Sequence, residues 1–293
     1  MENNKCNLCP RKCNIDRKTT FGFCKVYDKI IVAKYQKHFY EEPCISGTKG
    51  SGTIFFSGCN LRCKFCQNYK ISRNPKGVEY SVNELAELFL KLQKENVHNI
   101  NLVSPTIYVD SIKEAIKLAK QNGLKIPIIY NTSGYENVEI IQSLDGLVDV
   151  YLPDFKYAYN TLSKKYSMAN NYVENVEKCL IEMKRQVKNP KFDENGIIKS
   201  GLIIRHLILP NNTINSKLVL KWIKDNLGED TYVSLMSQYF PTAEVKTDDR
   251  INRKITKEEL DEVYNYMISL NLKNGYVQEY NENDNEEKYV PEF

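Results

Sequence analysis

The chain has 293 residues, of which 42% are hydrophobic and 27% charged, and a formal net charge of +4. Such a composition supplies one large core and excludes a disordered chain, and so small a net charge gives no reason to expect nucleic acid. No run approaches the roughly 18 apolar residues of a membrane span, and the opening Met1-Glu2-Asn3-Asn4-Lys5-Cys6 lacks a secretory core, so a cytoplasmic protein is expected.

Residues 1–50 carry cysteines, basic residues and short apolar pieces without a long helical period. They read as a small Cys-rich, metal-organised N-terminal element. Residues 51–279 read as the main domain, in which short apolar runs alternate with amphipathic stretches. Thr53-Ile54-Phe55-Phe56 is the first strand. Ser81-Val82-Asn83-Glu84 is a capping box that opens a helix. Asn99 to Val103 is the next strand, and a helix over 112–119 follows, capped by Asp110 or Ser111. The alternation continues with strands at 126–130, 148–152, 202–209 and 232–236, and helices at 138–144, 173–187 and 218–223. Thr256-Lys257-Glu258-Glu259 is a second capping box, and Tyr276-Val277-Gln278 is a candidate last strand. Residues 280–293 form a polar, acidic tail.

Successive βα units imply parallel strands with right-handed crossovers. The expected fold is therefore α/β: a partial (βα)6-type or a full βα barrel. In such folds chemistry gathers at the C-terminal ends of the strands. That rule points to the residues after Phe56, Val103, Tyr130, Leu152, Ile204 and Leu235.

The cysteines give the sharpest signal. Seven of nine fall in two groups, Cys6, Cys9, Cys13 and Cys24, and Cys59, Cys63 and Cys66. In a reducing compartment such clusters are metal ligands more often than disulfides. The second group has the spacing C-x3-C-x2-C in the loop after the first strand. Three thiolates can hold a [4Fe–4S] cubane and leave its fourth iron without a protein ligand, an open position suited to chemistry. Zinc completed by a fourth ligand is the alternative, although zinc favours paired C-x2-C units. The first group, C-x2-C-x3-C-x10-C, can close a zinc site or hold a second Fe–S cluster, and both remain open. Cys44 can cap either centre or be a buried thiol, and Cys179 reads as core.

Through Gly58-Cys59-Asn60-Leu61-Arg62-Cys63-Lys64-Phe65-Cys66, the sequence resembles the radical S-adenosylmethionine superfamily. More narrowly it is similar to the branch of pyruvate formate-lyase activating enzymes. The likeness runs from Cys6-Asn7-Leu8-Cys9-Pro10-Arg11-Lys12-Cys13 through Glu42-Pro43-Cys44-Ile45-Ser46-Gly47 and Asn131-Thr132-Ser133-Gly134-Tyr135 to Val290-Pro291-Glu292-Phe293. It implies that Cys59, Cys63 and Cys66 hold a [4Fe–4S] cluster whose open iron chelates S-adenosylmethionine. One electron would then cleave the S–C5′ bond, and the 5′-deoxyadenosyl radical would abstract hydrogen.

The resemblance also implies cofactor contacts by Phe65 beside the adenine and by Gln67. Ser104 stands where activating enzymes carry a Gly-Gly-Glu-like turn, and Asn131 where they carry an acidic residue; Thr132 and Ser133 follow it. Asp154 and Lys156 match a D-x-K pattern near the adenosyl group. Arg205 is the inward cation of its strand, for a cofactor carboxylate, and His206 is structural. Gln238 supplies neutral hydrogen bonds. The implied partners are a protein or peptide substrate, with a glycyl-radical enzyme foremost, and a one-electron donor such as flavodoxin or ferredoxin. Radical modification of another target is the alternative, and a non-catalytic Fe–S electron carrier is a reading of another class.

Overall fold

The computed structural model describes residues 5–281, 292 and 293. The acidic tail expected over 280–293 falls largely outside them. Ten strands are formed among the described residues: β1 (Ile30–His38), β2 (Ser51–Phe56), β3 (Val78–Tyr80), β4 (Ile100–Val103), β5 (Ile128–Thr132), β6 (Val150–Pro153), β7 (Lys191–Phe192), β8 (Ile198–Leu207), β9 (Tyr232–Met236) and β10 (Gly275–Val277). Their order across the sheet is β10-β9-β8-β6-β5-β4-β2-β1-β3, with β7 paired to β8 alone.

The run from β2 through β4, β5, β6, β8 and β9 to β10 is parallel throughout. The edges β10 and β3 do not pair with each other, so the described sheet is a partial βα barrel and not a closed one. β1 adds to β2 antiparallel and β3 to β1 antiparallel. The sheet therefore starts ahead of residue 51, inside the segment expected to be only metal-organised. The strand escapes a reading by pattern because Lys34, Gln36 and Lys37 interrupt its apolar alternation, as suits a strand near a sheet edge.

Helices cover the outer face. Val82–Lys94 opens on the expected capping box: Ser81 accepts from the Glu84 amide, and the Glu84 carboxylate accepts from the Ser81 amide. Lys257–Ser269 opens on the second, built from Thr256 and Glu259. The helix expected to be capped by Asp110 or Ser111 instead runs from Val109 to Gln121. A 3-10 turn, Thr106–Tyr108, leads directly into it, so no side chain caps it. The inner face has its own small core of Ile129, Val150, Leu152, Ile198 and Ile203, packed against Cys44 and Ile45. The short helix Pro43–Ser46 thus plugs the inside of the barrel, and Asn99 fastens it by donating to the Ile45 carbonyl at 2.8 Å. Cys44 is a buried thiol of this plug, and burial pushes it up to about 11. Cys179 is core, as expected.

Candidate active site

The loop after β2 carries the cysteine triplet to the C-terminal end of the parallel sheet. Gly58 adopts φ +82, and a Cβ there would stand 2.9 Å from the Cys24 carbonyl oxygen and 2.8 Å from Val26 Cγ1. The loop can begin here only because glycine permits both the left-handed backbone and this approach of the N-terminal element.

A cavity of about 480 Å³ opens beside the loop. Cys59, Cys63, Cys66, Phe65 and Gln67 line it on one side. Ser104, Thr132, Ser133, Asp154, Lys156, Arg205 and Gln238 reach it from the ends of the successive strands. Residues scattered over 180 positions of sequence thus meet in one space, as strand-end placement requires. The volume lies in the range of roughly 300–1,000 Å³ usual for small-molecule sites.

All three thiols are free. Hydrogen-bond donors already point at their sulfurs: the Leu61 amide to Cys59 at 3.3 Å and the Ser167 hydroxyl to Cys63 at 2.9 Å. Cys66 Sγ lies 3.4 Å from the Ser72 hydroxyl. Burial, then the neighbouring Cys63, pushes the Cys59 thiol up to about 12. Cys63 is also raised by burial, which outweighs the opposing pull of the Lys156 ammonium. Buried, mutually repelling thiols gain their charge when a metal centre compensates it.

Lys156 is paired with Asp154, and both are largely buried. Burial opposes the ammonium, but Asp154 and then Cys63 outweigh it and hold the lysine above its ordinary value. Phe65 is buried with its ring 5.6 Å from that of Tyr239. The Gln67 side chain donates to the Gln238 carbonyl at 3.0 Å, tying the cysteine loop to the end of β9. Ser104 has φ +60, a left-handed conformation in a residue with a Cβ. Thr106 donates to Glu136 at 2.6 Å, and Thr132 donates to the same oxygen. Burial raises the Glu136 carboxyl to about 7. The Ser133 hydroxyl is buried without a partner, beside both the main cavity and a small one of about 10 Å³ reaching Cys59.

Arg205 differs from the expected free cation. Its Nε and one Nη bond Glu42 at 2.8 and 2.5 Å, and the same Nη reaches Glu41. Glu41 also accepts from Asn101 at 2.7 Å. Burial disfavours the arginine charge, but Glu42 and then Glu41 outweigh it, and its pKa is raised well above the ordinary value. Glu41 and Glu42 line the cavity and were given no role from sequence. The available signal was Glu42 at the head of the Glu-Pro-Cys-Ile-Ser-Gly segment, whose plug holds it beneath the strand ends. His206 points away from the cavity: it is fully buried between the Phe155 carbonyl and Ser216.

Cys6, Cys9, Cys13 and Cys24 come together around a second space of about 10 Å³, with Arg11 and Asn60 beside them. A hairpin brings the first of them into place, the Cys6 amide bonding the Ile15 carbonyl at 2.7 Å and the Asn14 amide bonding the Cys6 carbonyl at 3.1 Å. Burial pushes Cys9 up to about 12. Arg11 stands between the two thiol groups: its Nε donates to the Asn60 carbonyl at 2.8 Å, and Cys9 and Cys59 both act on its charge. Among the described residues no three His, Cys, Asp or Glu side chains converge on a single metal ion. A cubane does not need them to, because each thiolate binds a different iron. Three free thiols with donors on their sulfurs, an adjoining cavity and an orphaned buried hydroxyl fit a cluster with a ligand beside it.

The sequence signature of the Radical SAM superfamily matches residues 53–199. An uncharacterized protein of Methanocaldococcus jannaschii is 31% identical over 277 residues, covering 91% of this chain and 75% of that protein. A second protein of that organism, provisionally named a glycyl-radical enzyme activating enzyme, is 30% identical over 117 residues, or 38% of this chain and 45% of its own. Among solved structures, methylornithine synthase has the same fold, with a TM-score of 0.51 and 16% identity over 78% of this chain and 70% of that one. The chain belongs to the radical SAM superfamily. It is an enzyme of that class, with a [4Fe–4S] cluster and S-adenosylmethionine as its cofactors. No helix among the described residues is long and apolar enough to cross a membrane.

Proposed function

We propose that Cys59, Cys63 and Cys66 hold the [4Fe–4S] cluster and that the chain is a radical enzyme of the activating type, acting on a protein or peptide. The observation that carries this reading is the meeting of the triplet with seven strand-end residues around one cavity. Held by these residues, the cluster would supply the electron for reductive cleavage of S-adenosylmethionine and, with it, the radical chemistry that removes a hydrogen atom from the substrate. The residues of this chain bind, orient and exclude water. Leu61 and Ser167 steady the sulfurs. Ser133, with its unpartnered hydroxyl, and the Asp154–Lys156 pair receive the polar parts of S-adenosylmethionine. Phe65 shields the adenine side, and Gln67, Ser104, Thr132 and Gln238 complete the wall.

A glycyl-radical enzyme such as pyruvate formate-lyase is the leading substrate, supported by the partial likeness to the provisionally named activating relative. Radical modification of another target is favoured by one feature: Arg205 is neutralised by Glu41 and Glu42, so a substrate or cofactor carboxylate meets no free guanidinium. The reading extends to a metal, zinc or iron, on Cys6, Cys9, Cys13 and Cys24. The four thiols line one space but no three of them converge on a single ion, so a second Fe–S cluster stands beside zinc in this reading. A cytoplasmic location accords with nine unpaired cysteines.

The test is anaerobic reconstitution, reduction and addition of S-adenosylmethionine. The expected product is 5′-deoxyadenosine, lost in Cys63→Ala. A reduced, intact cluster that yields none would overturn the assignment. Metal analysis of a variant lacking Cys6 and Cys9 identifies the N-terminal metal, and an unchanged metal content there would remove it from the proposal.

A further inference from the structure

The cysteine loop has two faces. Cys59, Leu61, Cys63 and Phe65 point into the main cavity, whereas Arg62 and Lys64 point the other way, into an outer cleft of about 400 Å³. The two spaces share no lining residue. The cysteine loop contributes side chains to both. The guanidiniums in the outer cleft hold the back of this loop: Arg62 donates to the Cys59 carbonyl at 2.8 Å, and Arg73 donates to the Cys63 carbonyl at 2.7 Å.

The cleft is strongly basic. Lys25, Arg62, Lys64 and Arg73 line it against one carboxylate, Glu244, which is paired with Arg73. Arg62 spends its donors on carbonyl oxygens, including that of Phe23, and stacks its guanidinium 4.6 Å from the Phe23 ring. Lys25 and Lys64 have no carboxylate partner among the described residues. The rim is apolar and open: Phe21 is 49% and Met168 56% exposed. Uncompensated cations around exposed apolar side chains are the composition of a surface that meets an acidic partner.

We propose that this outer cleft is the docking surface for an acidic one-electron carrier protein. The inference rests on the cluster being held by the triplet. Substrate and S-adenosylmethionine need the inner cavity, so the electron has to arrive without occupying it. Arg62 and Lys64 of the cysteine loop line the cleft, and so does Lys25, next to Cys24 in sequence, so the cleft borders both segments that carry the thiols. One electron passes from the reduced carrier to the cluster; the carrier is oxidised by one electron, the cluster is reduced by one, and no atom crosses. Opposite charges steer the encounter and set its salt dependence.

The experiment uses the reconstituted protein and the double variant Lys25→Glu, Lys64→Glu, with reduced flavodoxin and reduced ferredoxin in separate arms. Two quantities are read: the affinity for each carrier by calorimetry, and the rate of 5′-deoxyadenosine formation with the carrier or with dithionite as reductant. For at least one carrier the wild type is expected to bind more weakly by about tenfold between about 50 mM and about 500 mM salt. Charge reversal is expected to cost that carrier at least about tenfold in affinity and in carrier-driven rate, with the dithionite-driven rate unchanged. The proposal is overturned if the wild type turns over with dithionite but binds neither carrier, or if the variant binds and accepts electrons from both as the wild type does. It is also overturned if the variant loses the dithionite-driven rate equally, because the lysines then serve the site and not the carrier. Failure of the wild type with dithionite is a separate result and removes the cluster reading beneath it.

Discussion

Arg205 on β8 and Glu42 ahead of the barrel plug are joined by two hydrogen bonds, at 2.8 and 2.5 Å, across 163 residues of sequence. Both side chains are nearly withdrawn from water, at 12% and 5% exposure. Desolvating two charges is costly, and the pair persists because each supplies what the other lacks. Removing one partner leaves a buried charge that Glu41 offsets only in part. Glu42→Gln is therefore expected to destabilise the fold by about 3 kcal/mol, measured by urea unfolding. A loss below about 1 kcal/mol would mean that the pair is screened as surface pairs are.

Glu136 gives the fold a pH dependence. Its carboxyl is raised from an ordinary 4.5 to about 7 by burial. Between these values the folded state holds a proton that the unfolded state has released, so stability falls as pH rises through the window and levels off above it. The span corresponds to about 3 kcal/mol. Glu136→Gln keeps an acceptor for Thr106 and Thr132 but cannot ionise. The variant is expected to match the wild type near pH 4.5 and to exceed it in stability above pH 7. Equal differences at both pH values would contradict this.

His206 acts in the opposite sense. Burial lowers its imidazole from 6.5 to about 4. Its contribution is complete above pH 6.5 and is lost as pH falls through about 4, because the unfolded ring takes up a proton first. Over the shared part of the window it opposes Glu136, which flattens the wild-type profile. In Glu136→Gln the acid limb should stand out, with stability rising from pH 4 to 6.5; a flat profile in that variant would show that His206 is not the group responsible.

Ser104 holds a left-handed backbone at φ +60. A Cβ in that region costs about 1–2 kcal/mol, and glycine returns part of the gain as unfolded-chain entropy. Ser104→Gly is expected to stabilise by about 0.5–1 kcal/mol. Destabilisation on thermal melting would show that the hydroxyl makes a bond outweighing the backbone strain.

Ser167 stands between Tyr157, 2.6 Å away, and the Cys63 sulfur, 2.9 Å away. Donors to a ligand sulfur stabilise the more reduced, more negative cluster. Ser167→Ala is expected to lower the cluster potential by tens of millivolts, on the order of other single sulfur-bond effects, in a spectroscopic redox titration. An unchanged potential would mean that Cys63 is not a ligand or that the hydroxyl turns away.

Much of the fold is legible in the sequence because parallel βα units write themselves as apolar runs alternating with capped amphipathic helices. The two capping boxes at Ser81 and Thr256 form as read. β1 was not legible: an antiparallel strand beside the edge carries lysines at positions where a buried strand would carry apolar residues. The cavity was legible through strand ends, since the residues following each apolar run must meet there. The partners of Arg205 were not. A buried ion pair needs only the two charges to arrive at one point, and nothing local at Glu41, Glu42 or Arg205 encodes the distance between them. The alternation that sends Arg62 and Lys64 to the outer cleft is likewise a property of the folded loop, invisible while the cysteines are read only as ligands.

Arg11 donates to the carbonyls of Ser167 and Met168, which follow it by more than 150 residues. During synthesis at about 5–20 residues per second, the thiols of Cys6, Cys9 and Cys13 therefore emerge roughly ten seconds or more before the segment that pins their hairpin exists. For that interval they are a free peptide of reduced cysteines, open to oxidation and to whichever soft metal the cell offers. The order in which the chain is made thus leaves these thiols exposed before their hairpin is pinned and makes their filling sensitive to the conditions under which the protein is produced.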